Sequence, residues 1–75
     1  MMDMQTWRDS HARATDAAEA FCAALAAVGL PESVMRGVRP VVTYKGRPCV
    51  ELGVFPADVV ERMAEAVRDA ETSAR

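Results

Sequence analysis

Residues 38–55 read VRPVVTYKGRPCVELGVF, and the reading of this stretch decides the fold. Two runs rich in β-branched and aromatic residues flank Lys45 and Gly46, the pattern of an antiparallel hairpin. Taken as a two-residue loop, Lys45 and Gly46 pair Tyr44 with Arg47, Thr43 with Pro48 and Val41 with Val50. On that register Arg39, Val41, Thr43, Pro48, Val50 and Leu52 share one face, and Val42, Tyr44 and Cys49 share the other. Pro48 then sits at a non-hydrogen-bonded position, which proline tolerates, whereas Pro40 falls opposite Glu51 and is poorly accommodated. Pairing is therefore expected to fray, bulge or change partner near Pro40. Lys-Gly is a weaker turn signal than Asn-Gly, so a longer loop is the other option.

Working outward, residues from about Met4 to Val28 predict a long amphipathic helix. Met4, Trp7, Ala14, Ala18, Phe21, Leu25 and Val28 recur at spacings of three, four and seven, on one stripe. Thr6 with Asp9 resembles a capping box, and Asp3 is a second candidate cap. Gly29 suits the left-handed position after the last turn, where Leu30 can contact Leu25 in a Schellman motif, and Pro31 prevents continuation. Residues 31–36 suit one short helical turn. Pro56 opens a last helix over about 56–71, whose apolar stripe is Val59, Val60, Met63, Ala66, Val67 and Ala70. Asp9 with Arg13 and Asp58 with Arg62 are candidate ion pairs at i,i+4.

The order is helix, hairpin, helix. It predicts an α+β fold: a small αββα domain over residues 1–75, two helices on one face of a two-stranded antiparallel hairpin (about 38–55). A lone ribbon is marginal and leaves both edges unpaired, so edge pairing with a second copy could extend the sheet. A chain of 75 residues also buries only roughly 60% of its unfolded surface. Fourteen of its residues are alanine, nine of them between Ala12 and Ala27, which favours helix more than core. Domains this small often lean on disulfides, a metal or a partner subunit. The first two are not indicated here, so the expectation is a homodimer or a partner-bound subunit.

Charge follows the same segmentation. Arg36, Arg39, Lys45 and Arg47 oppose only Glu51 within residues 36–55, while the flanking segments are acidic, and the total is −2. The basic hairpin suggests nucleic-acid contact through Arg36, Arg39, Lys45 and Arg47, with Tyr44 as a stacking surface. Edge protection by cations explains the same residues without a ligand, and an acidic total opposes non-specific binding to nucleic acid. Eight arginines against one lysine match GC-rich bacterial coding, a compositional expectation only.

The motifs for chemistry are sparse. His11 and Cys22 lie eleven residues apart on one helix, roughly 16 Å of rise, and cannot share a metal. Cys22 and Cys49 are too few for a closed zinc site and read as small buried hydrophobes. Ser10 beside His11 points its side chain about 100° away on a helix, which suits no triad. No P-loop, HExxH, GxSxG or GxGxxG occurs. No cofactor, metal or catalytic residue is expected. Neither a membrane span nor a secretory leader is indicated, so a cytoplasmic location is the default.

Trp7 is the sole tryptophan. The predicted helix is longer than the hairpin, so part of it must overhang and present Met4, Trp7 and His11. Tryptophan is enriched at interface hot spots. These residues make a small non-catalytic protein-interaction or regulatory module the first expectation, with a nucleic-acid-binding module using the basic hairpin as the alternative.

Overall fold

A computed structural model describes residues 3–73 of the chain. Helix α1 runs Met4–Ala27, α2 is the single turn Glu32–Met35, strands β1 (Arg39–Val42) and β2 (Pro48–Glu51) form an antiparallel pair, and α3 runs Ala57–Ser73. The expected αββα order holds, with α1 packed along both strands.

The ends of α1 are set locally. Asp3, and not the Thr6–Asp9 pair, caps the start: its Oδ1 accepts from the Thr6 amide at 2.7 Å. The donated bond holds the Asp3 carboxyl below the usual carboxylate range. At the other end, Leu30 N–H donates to the Leu25 carbonyl at 3.1 Å and Gly29 N–H to Ala26 at 3.0 Å. These are the two bonds of a Schellman motif. Leu25 and Leu30 are both buried and pack together with Val59. The expected ion pairs do not form. Gln5 donates to Asp9 at 2.9 Å, and Arg62 reaches the Val28 carbonyl.

The hairpin departs from the expected register by one residue. Arg39 pairs with Glu51, Pro40 with Val50, Val41 with Cys49 and Val42 with Pro48. The cause is the turn. Thr43 N–H donates to the Arg47 carbonyl at 3.0 Å and Gly46 N–H to the Thr43 carbonyl at 2.8 Å. The loop is therefore the three residues Tyr44, Lys45 and Gly46, with Gly46 left-handed at φ 88°. A type I turn followed by a left-handed residue is the usual three-residue solution. The extra loop residue swaps the faces of β2 relative to β1.

The shift resolves the proline conflict. Alternation from the Thr43–Arg47 pair makes Val41–Cys49 and Arg39–Glu51 hydrogen-bonded and Pro40–Val50 and Val42–Pro48 non-hydrogen-bonded. Both prolines thus sit where the ladder asks no donor of them, so pairing continues through Pro40 to Arg39 and does not fray. The same geometry turns Pro40 and Pro48 toward the two outer edges. Each edge lacks one of its two ladder N–H groups, leaving Val42 on β1 and Val50 on β2.

The strands are shorter than the sequence runs because the ribbon closes at its base. Gly53 is left-handed at φ 80°, and a Cβ built there would lie 3.2 Å from Gly37 Cα. The chain entering β1 and the chain leaving β2 therefore cross backbone on backbone. Past that crossing, Phe55 turns inward against the cluster of Leu25, Leu30 and Val59, joined by Phe21, Val34, Met35 and Met63.

This makes α1 a rail with three sections. Its C-terminal part shares the apolar cluster with α2 and the start of α3. Its middle seats the hairpin, with Ala14 and Ala18 buried. The alanines that contribute little apolar area act here by letting the ribbon approach the helix closely. Its first turns precede Ser10, where the hairpin turn is bonded to it.

Candidate functional site

The position of the hairpin tip defines the overhang. Ser10 Oγ donates to the Gly46 carbonyl at 2.6 Å, pinning the turn to α1. Residues 4–9 lie beyond this latch. At about 1.5 Å of rise per residue they extend α1 by roughly 9 Å past Ser10. Sequence reading gave Ser10 no role, because a partner thirty-six residues away leaves no local signature.

Met4 and Trp7 on this segment and His11 just after the latch follow one another at i, i+3 and i+7, a single stripe. The Trp7 indole stacks on the His11 imidazole with centroids 4.8 Å apart and planes 14° from parallel. One face of the indole is thereby covered by its own helix. Trp7 nevertheless remains 41% exposed and Met4 65% exposed, while His11 is half-buried. An aromatic ring held in place by stacking, with apolar surface still open, loses little side-chain entropy when a partner covers it.

The basic residues are placed differently. Arg39 is committed across the ribbon: its guanidinium lies 2.7 Å from Glu51 Oε1 and donates a second contact through Nε at 2.9 Å. This pair exists because the register shift sets Arg39 opposite Glu51. Lys45 and Arg47 flank the turn, and Lys45 Nζ stands 5.8 Å from the centroid of the exposed Tyr44 ring. Arg36 follows α2, at the far end of the ribbon. Four residues of strand separate the level of Arg39 from that of Arg47, about 13 Å. The four cations are therefore split between the base and the tip and do not converge on one patch.

Cys22 and Cys49 are both free and half-buried. Cys49 lines a shallow groove with Arg13, Ala14, Ala17, Arg47, Pro48 and Val50, where the ribbon meets α1. Among the described residues no three histidine, cysteine or carboxylate side chains gather where they could hold a metal ion. No described helix is long and apolar enough to cross a membrane. No protein-family model, characterised protein or solved structure matches this chain.

Proposed function

We propose that the chain is a small non-catalytic protein-interaction or regulatory module, acting as a homodimer or a bound subunit, and that α1 offers its partner the stripe of Met4, Trp7 and His11. The observation that supports this most is the Trp7–His11 stack, which straddles the Ser10–Gly46 latch and leaves Trp7 partly exposed. The stack covers one face of the sole indole with its own helix, one turn before the residue to which the hairpin turn is bonded. Tryptophan is among the residues enriched at the hot spots of protein interfaces.

The alternative, nucleic-acid binding through Arg36, Arg39, Lys45 and Arg47, is less well supported, because Glu51 engages Arg39 and the remaining cations are dispersed. The two readings separate in one set of titrations. Trp7 is the sole tryptophan, so its fluorescence reports directly on the overhang. Binding of a protein partner should shift its emission to the blue and persist in salt, and calorimetric titration, which needs no fluorophore, should show it lost in Trp7→Ala. Nucleic-acid binding should weaken steeply with salt and with Arg47→Ala or Arg39→Ala. Partner affinity that survives Trp7→Ala unchanged would sink the proposal.

A further inference from the structure

Helix α3 has one broad apolar face, and only one edge of it is covered within the chain. Val59 is buried with Leu25 and Leu30, and Met63 packs at the border of that cluster. Val60, Ala64 and Val67, at i, i+4 and i+7, line a shallow groove with Met63, Arg68 and Glu71, and every lining residue comes from α3 itself. Val60 is 49% and Val67 71% exposed.

We infer that this stripe is a self-association seam, packed against the same stripe of a second copy of the chain. The inference rests on reading the chain as an interaction module and locates its homodimeric contact. The occupant follows from area and shape. The chain exposes 5793 Å², whereas a folded chain of 8.1 kDa ordinarily exposes about 4,500 Å². Its radius of gyration is 14.7 Å, against about 11 Å for a compact domain of this length. The excess, about 1,300 Å², is larger than the roughly 800 Å² each partner gives up in a standard interface. One contact of ordinary size with a second copy brings the chain close to the surface of a normal small protein.

The hairpin edges are poor sites for that contact, since Pro40 and Pro48 each remove a donor from an outer edge. A contact of α3 with itself uses one patch twice and relieves both chains together. The groove carries one cation, Arg68, and one anion, Glu71, so the patch facing its own copy is not forced to oppose like charges.

Sedimentation equilibrium of the full chain at micromolar concentration should give the mass of two chains. Val67→Glu should reduce this to one chain, weakening association about a hundredfold or more because each side of the seam would bury an unpaired charge. Helix content by circular dichroism should be unchanged, since Val67 is mostly exposed within one chain. Ala64→Cys, in a chain whose Cys22 and Cys49 are serine, should form an interchain disulfide on mild oxidation, because position 64 lies at the middle of the stripe. Trp7→Ala should leave the doubled mass intact. A wild-type chain of single mass overturns the inference, as does a chain that stays single until a different protein covers Val67. A doubled mass that Val67→Glu leaves unchanged overturns it equally. Partner binding that depends on Trp7 is read separately, so the overhang and the seam fail independently.

Discussion

The guanidinium of Arg62 donates to the carbonyl of Val28 at 3.1 Å, so a side chain of α3 caps the end of α1. The last carbonyls of a helix lack intrahelical donors, and the Schellman bonds at Gly29 and Leu30 do not supply all that are needed. Arg62 adds one and brings positive charge to the negative end of the α1 dipole. The same contact fixes α3 to α1 beside the small cluster of Leu25, Leu30 and Val59.

Arg62→Met should therefore cost about 1 kcal/mol, the net worth of one hydrogen bond at an exposed helix end. Urea denaturation should show a lower midpoint with an unchanged slope, because the surface exposed on unfolding is the same. A midpoint equal to that of the wild type would mean that water serves the Val28 carbonyl as well as Arg62 does.

Gly53→Ala should be far more damaging than Gly37→Ala, although the two glycines touch. At Gly53 a methyl group meets both a left-handed backbone and the backbone of Gly37 at 3.2–3.4 Å. The left-handed conformation alone costs roughly 1–2 kcal/mol for a residue with a Cβ, and neither backbone segment can yield without opening the base of the ribbon. At Gly37 the nearest atoms lie at 3.4 and 3.5 Å and no positive φ is required. Thermal melting of both variants tests the ranking, and equal losses would show that the crossing is not held closed.

These residues also mark what can be read from the sequence. The end of α1 is legible because Leu25, Gly29 and Leu30 lie within six residues and interact through local geometry. The register is not, because Lys45-Gly46 fits a two-residue loop as well as the last two positions of a three-residue loop, and only the Thr43–Arg47 bond separates them. The two prolines held the missing information. Both avoid ladder positions only when Pro40 faces Val50. The stripe on α3 is half legible: periodicity places Val59, Val60, Met63 and Val67 on one broad face, but not which edge of that face is covered.

Asp3 gives the first turn of α1 a dependence on pH. Its carboxylate accepts from the Thr6 amide, which lowers its pKa relative to the unfolded chain. A group with a depressed folded pKa contributes stability above its unfolded value and loses it as pH falls through the folded one. Acidification below the ordinary carboxylate range should therefore fray the turn that carries Met4 and Trp7. Asp3→Asn keeps a capping oxygen but cannot titrate, so it should remove that acid-induced change. Amide exchange at Thr6 and Trp7 across the acidic range is the measurement. Identical profiles for wild type and Asp3→Asn would assign the fraying to other carboxylates.

Pro40 and Pro48 should act as guards on the two outer edges of the ribbon. Each occupies a position whose N–H would point outward, so each breaks the row of donors that an added strand needs. Replacing both, as Pro40→Thr with Pro48→Thr, restores a full row on either side without disturbing the ladder between β1 and β2, because neither residue donates within it. Stability against urea should change by less than about 1 kcal/mol, as threonine suits a strand and proline restricts the unfolded chain. Association through the sheet should rise, visible as growth in particle size and in β signal on concentration. It should persist when Val67→Glu is added, because it uses a different surface. A double variant that remains as soluble as the parent would show that the cations along the ribbon, Arg39, Lys45 and Arg47, suffice to keep its edges unpaired.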